Sequence, residues 1–431
     1  MTNSLIIIAL AITFSCSGHP SSIDQVQECP AAPEAAAPVV KPGIEVLRDR
    51  GFDILKGKRV GLVTNPSGVD HNLRSTIDIL HEAGEVDLVA LFGPEHGVRG
   101  DVYAGGKVSD GIDPATSLPV YSLYGANREP SSEMLRGIDV MVYDIQDVGA
   151  RSYTFISTLG LVMRACAKTG TEVVVLDRPN PLGGLKVEGC VVEDGYYSFV
   201  SQFRIPYVYG LTVGELATLI NEEGLNLGID GKQPHLKCRL SVVPMEGWTR
   251  GMLYEDTHLP WVLPSPNIPS PRSAIGYPSA GIAGDVLNYL NIGVGYTIPF
   301  ETFAAEWIDA DALKARLDSY GVPGTSFRTI HYKPFSGPMA GKLLHGVQYF
   351  YTDYPAAKLT MTQFWVMQAV HELYPEHDTL TGNEKGLARV CGTDYVIRNF
   401  RKGYKVSDIE SYWSKDEDSF RTLSKKYYLY K

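Results

Sequence analysis

The run Val89 to Asp101, VALFGPEHGVRGD, holds a glutamate and a histidine, Glu95 and His96, between a Gly-Pro pair and a glycine at the end of an apolar stretch, with Arg99 and Asp101 following. Glycine and proline so placed turn a chain sharply. Three more polar clusters stand in the same relation to apolar runs. These are Asn65-Pro66-Ser67-Gly68, Asp144-Ile145-Gln146-Asp147 with Arg151 and Tyr153 beyond it, and Asp177-Arg178-Pro179-Asn180. Carboxylates grouped with arginines suit glycoside hydrolysis, in which one carboxyl protonates the leaving oxygen and a second group activates water or attacks the sugar. Glu95 is the better proton donor, because Phe92 and Pro94 take it partly out of water and a desolvated carboxyl holds its proton more readily. The second role falls to Asp144 or Asp147, unless these pair with Arg151 and hold the loop. His96 is equally readable as a buried structural histidine.

The elements that must position these residues follow from apolar patterning. Strand-like runs occupy Arg59 to Asn65, Val86 to Phe92, Leu118 to Gly125, Ile138 to Asp144 and Glu172 to Asp177. Leu73 to Ala83 and Tyr153 to Lys168 repeat apolar residues near the helical period between them. Near-continuous Val/Ile/Leu strands alternating with helices predict a parallel sheet covered on both faces, a Rossmann-like α/β domain. Ligands of such sheets sit beyond the carboxyl ends of the strands, which brings the four polar clusters to one edge. Thr212 to Asn221 reads as a further helix and Leu240 to Val243 as a further strand. The Pro-rich stretch WVLPSPNIPSPRS, Trp261 to Ser273, marks a boundary, giving a catalytic domain over 43–262 and a smaller mixed α+β domain over 263–431. Within the latter, Phe300 to Tyr320, Thr360 to Leu373 and Ser407 to Trp413 read as helices, the last opening on a capping-box pattern from Ser407 to Glu410. His345 to Asp353 reads as a strand.

Composition narrows the classes. The chain has 431 residues, 44% of them hydrophobic, and a net charge of -10, so nucleic acid is a poor partner and an anionic ligand needs local arginines. The opening MTNSLIIIALAITFSCSGHP is too short in its apolar core to span a bilayer. It reads as an export signal over residues 1–16 that resembles a lipoprotein signal, with acylation of Cys16 tethering a periplasmic enzyme to a membrane through the flexible linker 17–42. The other cysteines, Cys29, Cys166, Cys190, Cys238 and Cys391, show no C-x-x-C and no zinc spacing. No G-x-G-x-x-G or P-loop follows the first strand, so neither dinucleotide nor NTP is implied. Tyr277 to Gly281 fails the nucleophile-elbow pattern, and His371 to His377 is not H-E-x-x-H but a helix end. No cofactor and no metal are expected.

The runs VGLVTNPSGVD, LVALFGPEHGVRGD, LPVYSLYG, IDVMVYDIQDVGARSYT, VVLDRPNPLGG with KVEG, and LTVGELA together resemble the NamZ-type exo-β-N-acetylmuramidases, a glycoside hydrolase family. The resemblance runs from about Gly43 to the C-terminus. It implies a Rossmann-like domain joined to a smaller one with the cleft between them. It also implies release of N-acetylmuramic acid from the non-reducing end of peptidoglycan fragments (MurNAc-GlcNAc, muropeptides), and a catalytic glutamate in GPEHG, here Glu95. That sugar carries a lactyl carboxylate, for which Arg99, Arg151 and Arg178 are the candidate ligands. Tyr124, Tyr153 and Trp261 are candidates to pack on its apolar face. Asn65, His96, Asp101, Gln146 and Asn180 complete the expected binding set.

Two departures stand out. Tyr209-Gly210-Leu211 replaces a His-Gly-Met, and Asp285 to Thr297 lacks the arginine of an E-G-T-N…G-R-G-T run. The second puts the aglycone side of the cleft in question. Retention or inversion stays open, since the 2-acetamido group or a tyrosine such as Tyr153 can replace the second carboxylate, and Glu95 as nucleophile is the reverse assignment. A periplasmic binding protein without catalysis and a cell-wall acyl or amide hydrolase are the rival readings.

Overall fold

The computed structural model describes residues 40–100, 110–125, 127–284, 289–377, 380, 382 and 384–431. The segment read as an export signal, almost all of that read as a linker, and Asp101 lie outside the described residues. The first half builds seven strands: β1 (Arg59–Thr64), β2 (Asp87–Gly93), β3 (Gly111–Ile112), β4 (Pro119–Ser122), β5 (Val140–Asp144), β6 (Glu172–Leu176) and β7 (Leu240–Val243). They form one sheet in the order β3-β4-β2-β1-β5-β6-β7. β1 pairs in parallel with both β2 and β5, and β3 alone runs antiparallel, at the edge beside β4. The chain therefore builds outward from β1 through β2 and β4, then returns to place β5 on the other flank. Such a switch point leaves a crevice at the strands' carboxyl ends.

Alternation of side chains across the sheet explains the unbroken apolar strands. Leu62, Val142 and Val174 point to one face, where they pack with helices α1 (Gly43–Asp49) and α2 (Thr76–Glu82) through Ile44, Leu47, Ile77 and Leu80. Their neighbours Val63, Tyr143 and Val175 point to the other, against α3 (Phe155–Thr169) and α4 (Val213–Glu222) through Ile156, Leu159, Leu216 and Ile220. Both faces are dry, so no polar residue is needed in mid-strand.

The LTVGELA run starts α4. Thr212 and Glu215 form a reciprocal capping box, and the Thr212 hydroxyl and Gly214 N–H donate to Asp177 at 2.7 and 2.8 Å. A side chain at 214 would place Cβ 2.9 Å from the Asp177 carboxyl carbon, which is why glycine stands there. This motif is a cap that fixes α4 to the end of β6.

The second half contains α5 (Pro271–Gly284), β8 (Thr302–Ala305), α6 (Ala310–Tyr320), β9 (Thr325–Tyr332), β10 (Leu344–Tyr351), α7 (Thr362–Leu373) and α8 (Glu384–Cys391), followed by short helices. The strands form an antiparallel sheet in the order β8-β10-β9. Two sequence expectations are corrected here. Phe300 to Tyr320 is not one helix: Thr302–Ala305 pairs with β10, and α6 starts only after Asp309, whose carboxylate caps the N–H groups of Asp311 and Ala312. A short apolar run such as TFAA carries no period that separates strand from helix. The Ser407 capping box does not form; residues Val406–Asp408 make a 3-10 turn and the helix opens at Glu410. The Pro-rich stretch runs into α5, with Pro271 as its first residue, the position where proline's missing N–H costs nothing. All described residues belong to one compact unit, and no helix among them is long and apolar enough to cross a membrane. Cys166, Cys190, Cys238 and Cys391 are buried and unbridged.

Candidate active site

At the carboxyl end of β2 the chain folds back on itself. The Gly93 carbonyl accepts from Leu123 N–H at 2.8 Å, and Gly97 N–H closes a turn onto the Pro94 carbonyl at 3.1 Å. A Cβ on Gly93 would lie 3.1 Å from Val98 N and 3.2 Å from Gly97 Cα, a tight approach that glycine relieves. His96 occupies the third position of the turn with φ 77°, a value that favours glycine and strains a β-carbon. Side chains are retained in such conformations chiefly where they serve a site. The turn leaves Glu95 half-buried and His96 buried.

Both open into a cavity of about 500 Å³. Its floor comes from the ends of the parallel strands: Glu95 and His96 after β2, Tyr124 and Arg128 after β4, and Ser152, Tyr153 and Thr154 after β5. Phe199, Ser265, Asn267, Ile268, Tyr277 and Phe300 add walls, and Arg389 and Val390 of α8 close one side. Among the described residues Glu95 is the one carboxylate in this lining. The Tyr124 hydroxyl donates to it, and burial, then the Glu95 charge and this bond, hold the Tyr124 proton more tightly, with Arg128 opposing. Tyr153 is pushed much further up by burial, with smaller contributions in the same direction from Asp147 and Glu95. Its hydroxyl faces Ser265 without a well-formed hydrogen bond. Its ring meets those of Phe155 and Tyr277 edge-on, at 4.9 and 5.3 Å between centroids. The cavity thus offers a carboxylate, a histidine, a proton-holding tyrosine and apolar ring faces, which is a lining able to protonate and orient a sugar.

The structure brings Glu95, His96, Tyr124 and Tyr153 together and places the other described sequence candidates outside the lining. Asp144 is fully buried and closed by Arg178, at 2.5 Å to Nε and 2.9 Å to Nη2, and by the Thr76 hydroxyl at 2.5 Å. Arg178 gives its remaining reach to the Val69 carbonyl. Arg99 is paired with Asp113 at 3.0 Å and with Asp78 at 3.3 Å. Arg151 is fully buried, and its guanidinium donates to the carbonyls of Cys190, Ile205, Val390 and Cys391. Neither aspartate pairs with it. Asn65 ties Ser67 to the Pro264 carbonyl, Asn180 ties Leu182 to the Leu211 carbonyl, and Gln146 donates to the Asp147 and Pro179 carbonyls. Trp261 packs edge-on against Tyr254 and donates to the Ile268 carbonyl.

Asp147 lies behind the lining. One oxygen accepts from Gly149 N–H at 2.8 Å and from the Tyr209 hydroxyl, and the other is buried without a partner. Burial pushes its pKa up to about 6. Tyr209, one of the departures noted in the sequence, is thereby explained as the support of Asp147.

Several lining residues carried no local sign. Ser265 and Asn267 lie in the stretch read as a boundary, Tyr277 in the rejected elbow pattern, and Arg389 far along the chain. Arg128 was within reach, since it follows a strand as the other clusters do. Among the described residues no group of three or more His, Cys, Asp or Glu side chains converges as a metal site requires.

A doubly wound sheet whose strand ends present this lining to a cavity defines an α/β enzyme scaffold. Sequence comparison places it more narrowly. The profile described as exo-β-N-acetylmuramidase NamZ, N-terminal, matches residues 60–272, and the corresponding C-terminal profile matches residues 275–430. The chain belongs to the NamZ family. The peptidoglycan β-N-acetylmuramidase NamZ of Bacillus subtilis (strain 168) is 42% identical over 396 residues, 92% of either chain. The crystal structure of a DUF1343 family protein from Bacteroides fragilis NCTC 9343 matches with a TM-score of 0.86 at 52% identity, covering 92% of this chain and 100% of that one. A second such protein from the same organism matches with a TM-score of 0.71 at 28% identity, covering 91% and 99%.

Proposed function

We propose that this chain is an exo-acting glycoside hydrolase that releases N-acetylmuramic acid from the non-reducing end of β-1,4-linked peptidoglycan fragments. Family membership supports the activity, and one observation carries the assignment of its centre: among the described residues Glu95, on the turn after β2, is the one carboxylate in the lining of the cavity at the strand ends. Glu95 protonates the glycosidic oxygen, and the Tyr124 hydroxyl that donates to it fixes its orientation. Among the described residues, Asp144 is engaged by Arg178 and Thr76 and Asp147 by Tyr209, and neither joins the lining. Tyr153, held protonated by burial, serves as a hydrogen-bond donor. The substrate's own 2-acetamido oxygen attacks the anomeric carbon as the protonated aglycone leaves, and water then opens the cyclic intermediate, a substrate-assisted course with net retention.

Glu95→Gln tests the reading. With a chromogenic β-N-acetylmuraminide, turnover should fall by about 100-fold or more while the variant stays folded; near-normal turnover would sink the assignment. Mass spectrometry of MurNAc-GlcNAc digests should show free N-acetylmuramic acid. The export signal and the Cys16 thiol support a membrane-tethered periplasmic enzyme, which mass spectrometry of the mature N-terminus tests through the mass of an acylated Cys16.

A further inference from the structure

We infer that Arg128, with Arg389 on the same cavity, recognises the lactyl carboxylate of the substrate and so selects muramic acid over glucosamine sugars. The inference rests on the muramidase reading, since the lactyl ether is what separates the two sugars. Among the described residues the cavity lining contains two arginines, Arg128 and Arg389. Arg99, Arg151 and Arg178 are consumed by carboxylates and backbone carbonyls elsewhere.

Arg128 is held in a way that suits a ligand. Its guanidinium lies over the Phe199 ring, 4.2 Å from the centroid. Stacking fixes the guanidinium plane and leaves its N–H edges to meet an anion in that plane, the geometry of bidentate carboxylate recognition. Its Nε is buried and has no hydrogen-bond partner. The neighbouring carboxylate, Glu129, is committed to Lys168 at 2.5 Å. Arg389 is exposed on α8, where it borders the cavity from the opposite half of the chain. Tyr124 feels both the Glu95 and the Arg128 charge, so anion recognition and proton donation address one bound sugar.

The test compares two chromogenic substrates that differ only in the lactyl group, a β-N-acetylmuraminide and a β-N-acetylglucosaminide. Arg128→Gln should lower kcat/KM on the muraminide about 10- to 100-fold, the range of a lost charge-assisted hydrogen bond. The glucosaminide rate should change less than about 3-fold, and Arg128→Lys should recover part of the loss because charge returns without the planar fork. Arg389→Gln should act in the same direction and less strongly, as an exposed charge does. Equal losses on both substrates, or no change on either, would overturn the proposal. Calorimetric titration with free N-acetylmuramic acid separates this from failure of the muramidase reading. Binding present in the wild type and lost in Arg128→Gln supports the carboxylate site even if turnover is absent. Equal binding by both proteins refutes it whatever the turnover.

Discussion

Asp144 and Arg178 form a closed ion pair at the switch point of the sheet, with Nε 2.5 Å from one carboxylate oxygen and Nη2 2.9 Å from the other. Both side chains are almost wholly removed from water. A pair so placed makes a poor catalyst, because its charges are already spent on each other, but removing one partner strands the other. Asp144→Ala should therefore cost about 3–5 kcal/mol of stability in urea unfolding. The double variant Asp144→Leu with Arg178→Met should recover much of that loss. Turnover per folded molecule should fall far less than in Glu95→Gln; an equal fall would return Asp144 to the chemistry.

His96 separates backbone strain from side-chain function. At φ 77° a β-carbon costs about 1–2 kcal/mol that glycine avoids. His96→Gly should thus be more stable than His96→Ala by roughly 1 kcal/mol in urea unfolding, although glycine is usually the more destabilising change. Both variants should lose activity alike, since both lose the imidazole that lines the cavity.

How much of this was legible in the sequence depended on whether a residue's partner lies nearby. β1, β5 and β6 announce themselves because both faces are buried, which forces continuous Val, Ile and Leu. The edge strand Gly111–Ile112, exposed on both residues, leaves no such trace, and TFAA of β8 is too short for its period to tell strand from helix. In the site, Glu95 and His96 were readable from the turn chemistry of GPEHG. Arg151 and Arg178 look like ligand arginines in the sequence, because an arginine after a strand reads the same whether its partner is a substrate carboxylate or the protein's own carboxylates and carbonyls. Tyr277 and Arg389 reach the cavity only through tertiary folding, and no local pattern encodes that.

Stability should depend on pH in a direction opposite to that of a salt-bridged carboxylate. Burial pushes Asp147 and Asp177 up to about 6 and Glu417 up to about 7. The folded chain then binds more protons than the unfolded chain between about pH 4, where free carboxyls titrate, and these values. The contribution of these groups is fully present below about pH 4 and lost as pH rises through 6 and 7. Asp147→Asn should flatten the fall in unfolding free energy between about pH 4 and 6, measured by urea titration at several pH values. An unchanged slope would show that Asp147 does not carry it.

Arg151 joins the two halves of the chain at the wall of the cavity. Its guanidinium bonds the Cys190 and Ile205 carbonyls at 2.9 and 2.6 Å and the Val390 and Cys391 carbonyls at 3.1 and 2.8 Å. Val390 itself lines the cavity, next to Arg389. A lysine carries the same charge but cannot place planar donors on all of these oxygens, and the burial that Arg151 withstands disfavours an ammonium more strongly. Arg151→Lys should cost about 3 kcal/mol or more and loosen the end of α8 before the rest of the fold. Hydrogen exchange should then show lost protection in Glu384–Cys391 while β1 and β5 keep theirs. KM for a muraminide should rise more than kcat falls, because the change moves a binding wall and leaves Glu95 in place. A variant with normal α8 protection and normal KM would mean that this buried arginine is not what holds α8 against the parallel sheet.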